Sequence, residues 1–243
     1  MISTLDHLII VVKDLDEAEK DYTKIFGMSP VWRGEHKELG TINSIFNLEN
    51  TYFELLASKG AGLGADLVNS ALEKDGEGLT GIVFGTDNIK DAHTSIKSAG
   101  YGIGEISNGE GSNSDNVNIR RWQNLLLPPE LTRGLFSFVI EHTDGQLPAS
   151  NYQTSSISKL DHLVINTNDA DGLISVYQDV FKIRLALDKV IEHWKKRMLF
   201  FRLNKTTIEV IESKNDQPAN DQLWGLAWDC LLYTSPSPRD VEE

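Results

Sequence analysis

The sequence predicts an α+β fold made of tandem β-α-β-β-β modules. Three observations predict it. The chain contains a repeat: Leu5-Asp6-His7-Leu8 returns as Leu160-Asp161-His162-Leu163, 155 positions later. The repeat holds its register, since Asp14, Asp16, Tyr22, Phe26, Phe46, Leu48 and Glu54 return as Asp169, Asp171, Tyr177, Phe181, Phe201, Leu203 and Glu209. Self-similarity at a fixed offset marks a repeated structural unit, here of about 55 residues. Within each unit the apolar pattern also changes from strand-like to helical and back.

The first module shows each element in turn. Leu8-Ile9-Ile10-Val11-Val12 is a short apolar strand. Asp14 stands at a helix N-cap with Glu17 three residues on, a capping-box pattern. Ala18, Tyr22, Ile25 and Phe26 recur at helical spacing, and Gly27 ends the helix. Strand patterns follow at 30–35, 41–48 and 52–57. Residues 65–74 read as a linking helix broken by Gly76-Glu77-Gly78. The second module opens with the strand Gly81-Ile82-Val83-Phe84, a cap at Asp87-Asn88 and a helix over 89–99. Its Gly/Ser/Asn-rich stretch 107–116 reads as a hairpin loop, with strands at 117–127 and 135–142 around Pro128-Pro129. A third module repeats the first, and Leu223-Trp224-Gly225-Leu226-Ala227-Trp228 matches the start of the second. The expected division is therefore a domain at 1–143 (modules 3–57 and 79–143), a polar linker at 144–158 and a truncated second domain at 159–229. The tail from Cys230 resembles one reading frame of a transposon-based sequencing adapter, so 230–243 is set aside as artefactual.

Composition narrows the function. The 243 residues are 40% hydrophobic and 24% charged, as in ordinary soluble domains. A formal charge of −13 argues against a nucleic-acid surface, which needs clustered Lys and Arg. No apolar run approaches the roughly 20 residues that span a bilayer. The N-terminus has no basic region ahead of an apolar one, and a single Cys excludes a disulfide framework. A cytoplasmic setting with no membrane or nucleic-acid partner is the expectation. A truncated last module would expose a sheet edge, which favours a homodimer or aggregation.

Each repeat carries one imidazole and one carboxylate: His7 to Glu54 and His162 to Glu209 are both 47 positions apart. Glu54, Glu141 and Glu209 all lie in the last strand of a module. A lone carboxylate on an apolar strand face is costly unless it is paired or binds a metal. An exposed face or a pair with Arg or Lys is the alternative. Arg120 and Trp122 share a face by alternation, and a guanidinium beside an indole suits an anionic or aromatic substrate. Arg133 is a further candidate, whereas His93 and His142 read as surface or opposite-face residues.

From about Ser3 to Trp228 the pattern resembles the vicinal oxygen chelate superfamily, which includes glyoxalase I, bleomycin-resistance-type binders and extradiol dioxygenases. The resemblance implies paired modules forming U-shaped mixed sheets around a divalent metal. It implies His7, Glu54 and Glu141 as ligands, with Glu141 also the general base. Gly81 and Gly225 stand where the second histidine of each half would be, and Gly has no ligand atom. One nitrogen and two oxygens suit Zn, Mn, Fe, Ni or Mg. Gly34-Glu35-His36, then Gly40-Thr41-Ile42-Asn43, resembles the signature of an uncharacterised glyoxalase-like subfamily. This implies tight turns at Gly34 and Gly40, with His36 and Asn43 facing the substrate. His36 maps to Ile191 in the other half, so the shared fold does not require it.

The leading expectation is a metal-dependent glyoxalase-type lyase or isomerase that chelates vicinal oxygens of a small oxo or hydroxy substrate. The alternative is a metal-free small-molecule binding module of the resistance type. A third is an extradiol-dioxygenase-like enzyme, which the missing second histidine disfavours.

Overall fold

The computed structural model describes residues 1–113 and 118–230. All but Cys230 of the supposed tail, and part of the expected hairpin loop, lie outside the described residues. The first module runs β1 (Ile2–Val11), α1 (Leu15–Phe26), β2 (Trp32–His36), β3 (Thr41–Asn47) and β4 (Tyr52–Ser58). Helix α2 (Leu63–Asp75) leads to β5 (Gly78–Thr86), α3 (Ile89–Ser98), β6 (Ser107–Asn113), β7 (Ile119–Leu126), the one-turn α4 (Pro129–Thr132) and β8 (Phe136–Asp144). The cap reading of α1 holds: Asp14 accepts from the amides of Asp16 and Glu17, and Gly27 closes the helix at φ 64°.

These strands close into a barrel in the order β1-β4-β3-β2-β6-β7-β8-β5, with parallel pairs β1–β4 and β5–β8. The U expected from the family resemblance is thus shut by a seam between β2 and β6, where Gly34 meets Asn113 and Glu35 meets Ser112. Gly34 serves this close approach rather than a turn, because a Cβ there would lie 2.4 Å from the Ser112 carbonyl oxygen. Residues 107–113 of the stretch read as a hairpin loop form strand β6. Its polar composition hides it, but β7 supplies its ladder from Ser107↔Asn124 to Ser112↔Ile119.

The second sheet contains β9 (Ile157–Thr167), β10 (Arg184–Ile191), β11 (Lys196–Leu203), β12 (Thr206–Glu212) and β13 (Asp221–Cys230). Between β9 and β10, helix α5 (Ala170–Ile174) runs into a π-helical turn over Ser175–Val180. The order β10-β11-β12-β9-β13 leaves this sheet open, with β10 and β13 at its edges. Among the described residues, no helix is long and apolar enough to cross a membrane.

Alternation along β1 separates two environments. Leu8 and Ile10 face the main core with Phe26, Phe46 and Phe53. Ile9 and Val11 face the barrel interior, where Val68 of α2 packs on them. The main core continues into the second sheet: Trp228 meets Phe26 edge-on at 5.1 Å, and Phe84 lies 5.3 Å from Phe181. Burying a large apolar side chain is worth about 1.5–3 kcal/mol, so this aromatic seam fixes the two sheets together.

Polar groups complete the junction. Asn50 donates to the Leu160 carbonyl (2.7 Å) and accepts from the Leu160 amide (3.1 Å). Arg133, held at φ 53°, donates from Nε to Asp221 (2.8 Å) and from Nη1 to Asp169 (3.1 Å). Arg133 is therefore a structural clamp with both carboxylates occupied. Removing one partner of a buried ion pair leaves the other uncompensated, which costs about 3–5 kcal/mol. We expect a loss of that size in Arg133→Ala on urea unfolding. A loss below about 1 kcal/mol, the range of exposed pairs, would show that the clamp is ornamental.

Candidate functional site: a charge-paired histidine inside the barrel

Parallel pairing of β1 with β4 puts Ile9 opposite Glu54 and His7 opposite Tyr52. The side chains of His7, Tyr52 and Glu54 therefore share the inward row. His7 Nδ1 lies 2.7 Å from Asp6 Oδ1, and His7 Nε2 lies 3.3 Å from Glu54 Oε2. Asn43 Nδ2 donates to Glu54 Oε1 at 2.6 Å. The Tyr52 ring stacks on the imidazole at 4.3 Å and 12°. Phe138 meets it edge-on at 5.9 Å. His7 is only 3% exposed, and Glu54 7%.

Such burial penalises charge, yet the partners win. Burial alone would push the His7 imidazole down, but hydrogen bonds to Asp6 and Glu54 and their charges raise it above its ordinary value. Burial would likewise push Glu54 up, but His7 outweighs it and holds the carboxyl at about 2. Asp6 follows the same logic: burial opposes ionisation, while His142 and His7 hold it well below the carboxylate range. The exposed His142 reaches Asp6 Oδ2 at 3.1 Å. The result is an imidazole between two carboxylates, both of which favour its protonated form.

The subfamily-like segment builds the wall beside this group. His36 Nδ1 lies 3.0 Å from Thr41 Oγ1, and the ring meets Trp122 edge-on at 5.7 Å. Gly40 turns the hairpin at φ 68° and leaves Asn43 in register to reach Glu54. Burial pushes the His36 imidazole below its ordinary value; Glu54 opposes this, while Arg120 and His7 add to the lowering. Arg120 lies over Tyr52 at 5.4 Å and over Trp32 at 5.7 Å. His36 and Trp122 are half-buried.

Glu141 does not join His7 and Glu54. It points outward from β8, where its Oε2 accepts from the Ile89 amide at the start of α3 (2.8 Å). Glu212 does the same for the Ala170 amide at the start of α5 (3.1 Å). The tripeptide Val139-Ile140-Glu141 therefore matches Val210-Ile211-Glu212, not the strand positions around Glu209. Three residues before each capping Glu stand Phe138 and Glu209, so Phe138 occupies the second module's carboxylate position. Gly81, paired with Phe136, occupies the histidine position, and a Cβ there would lie 2.9 Å from the Phe136 ring. The second module's two matching ligand positions are thus apolar. In the open sheet the polar set persists, with His162 2.7 Å from Asp161 and 3.5 Å from Glu209.

A sequence model of the glyoxalase-like domain matches residues 5–181. The chain belongs to the glyoxalase-like domain family. A second model, for the glyoxalase/bleomycin resistance protein/dioxygenase superfamily, matches residues 159–234. No curated protein matches the chain in sequence. Among solved structures, a hypothetical protein from Staphylococcus aureus is 13% identical with a TM-score of 0.66, covering 90% of this chain and 91% of that one. A mutant of 4-hydroxymandelate synthase from Streptomyces coelicolor is 14% identical with a TM-score of 0.63, covering 93% of this chain and 71% of that one. At such identities the likeness is one of fold.

The donor set of this glyoxalase-like barrel does not fit the divalent metal that the resemblance implies. Among the described residues, no three His, Cys, Asp or Glu side chains group to hold an ion. Nδ1 of His7 is engaged by Asp6 and Nε2 faces the Glu54 carboxylate, so each ring nitrogen already has a carboxylate partner. Two outer hollows of about 540 and 560 Å³ lie elsewhere and are lined by Asn168, Asn215 and Asn220, and by Met28, Pro30 and Pro148. Neither is lined by a titratable side chain. The sequence reading missed Asp6, Tyr52 and Trp32, and it left His142 aside. The repeated Leu-Asp-His-Leu was the available signal for Asp6, since Asp161 makes the same contact.

The ion pair predicts a stability plateau. The His7 contribution is complete below the ordinary imidazole value of about 6.5 and fades as pH rises through its raised value. The Glu54 contribution is complete above about 4.5 and is lost as pH falls toward about 2. Urea midpoints should therefore peak between these limits. In Glu54→Gln the alkaline decline should move to lower pH, because the imidazolium loses one carboxylate. An unmoved alkaline limb, or a His7 ring titrating by NMR at its ordinary value in wild type, would rule out the pairing.

Proposed function

We propose that this glyoxalase-like protein binds a small molecule inside the barrel without a metal. This is the metal-free binding reading, and one observation carries it: His7 spends both ring nitrogens on Asp6 and Glu54. The apolar residues at the second module's ligand positions, Gly81 and Phe138, support the same reading. In this account the His7–Glu54 pair is a fixed polar anchor on one wall. Trp122, Phe136 and Phe138 supply the facing surface, and all three are half-buried rather than sealed. A small-molecule site of this kind typically combines an apolar lining with a few placed polar groups.

A fragment library screened by thermal shift tests the reading. A ligand at about 100 times its Kd stabilises a protein by about 2.7 kcal/mol. For a chain of this size that is a rise of roughly 5–11 °C. The hits should be unchanged by EDTA and unchanged by added Zn, Mn, Fe, Ni or Mg. Native purification should yield far less than one divalent ion per chain. A stoichiometric ion, or binding abolished by chelator, would restore the metal-dependent glyoxalase reading.

A further inference from the structure

We propose that Arg120 anchors the carboxylate of a small ligand whose remaining body is apolar, an inference that rests on the barrel being a ligand site. Two guanidiniums are buried among the described residues, Arg120 at 7% exposure and Arg133 at 9%. Arg133 is held by two carboxylates. Arg120 pairs with no described carboxylate, and its buried Nε finds no acceptor. A permanent charge in that position is costly unless something compensates it. The aromatic faces of Trp32 and Tyr52 flank the guanidinium and offset part of that cost. One donor of the guanidinium is shared with the Tyr52 hydroxyl, which leaves Nε and the rest of the fork to take the oxygens of an anion.

The surroundings define the rest of the ligand. Asp6 and Glu54 are already committed to His7, so neither is available to neutralise Arg120. Trp122 shares the inward row with Arg120, and it packs with Val83, Ile140, Phe136 and Phe138. An apolar wall facing a single unpaired cation selects an amphipathic anion over a fully hydrated one. An aromatic or branched carboxylate meets both surfaces, whereas inorganic phosphate meets only the cation.

Calorimetric titration of the full chain with benzoate, benzamide and inorganic phosphate tests this. Benzoate should bind at least tenfold more tightly than either of the others. In Arg120→Gln, benzoate should fall to the level of benzamide, while Arg120→Lys should retain part of the difference. Should Arg120→Gln fail to fold, wild-type protein still decides: the Arg120 Nε–H resonance should shift with benzoate and not with benzamide. Equal binding of benzoate and benzamide, tighter binding of phosphate, or no binding of benzoate would each overturn the proposal. Neutral fragments that bind well under EDTA would leave the metal-free barrel reading standing while this inference falls. A barrel that binds no fragment of any charge would fail both.

Discussion

The interior of this barrel depends on a charge that cannot be left alone. His7 sits on an apolar strand with almost no exposure, and an isolated imidazolium there would simply lose its proton. Asp6 on one side and Glu54 on the other prevent that. Each of those carboxylates then needs further donors. Asn43 serves Glu54, and His142 serves Asp6. The hydrogen-bond chain therefore fixes the registers of β1, β3, β4 and β8 relative to one another. Networks of this kind are stiff when complete and expensive when broken, so they specify one arrangement.

Much of the architecture was readable because the modules repeat. Matching residues such as Phe26 and Phe181, or Leu48 and Leu203, face equivalent core positions. The pairing of His7 with Glu54 was readable for the same reason, and its copy at His162 and Glu209 confirms the shared geometry. What the sequence concealed follows from period two. Glu141 was placed by being the acidic residue near the end of a strand. A shift of one position along a strand moves a side chain to the other face. The shared Val-Ile-Glu tripeptide, not the glutamate itself, carried the alignment. Strand β6 was hidden for a different reason. Its ladder is made by backbone pairing with β7, which leaves no hydrophobic period to read.

The same contrast separates the arginines. Sequence offers both Arg120 and Arg133 as candidates, with Arg120 favoured by Trp122 on its face. Only the junction with the second sheet distinguishes them, because Asp169 and Asp221 lie far along the chain from Arg133. Long-range pairing of this sort has no local sign. The two arginines have opposite roles as a result, one locking two sheets and one facing the interior.

The glycines of β6 have a consequence for the interior wall. A Cβ at Gly109 would fall 2.2 Å from the Trp122 indole nitrogen, and one at Gly111 would fall 3.1 Å from the same indole and 3.3 Å from the His36 ring. Two residues without side chains therefore keep the place of two rings. Alanine at Gly109 would push the indole out of its position, so part of the wall's shape is set by what β6 omits.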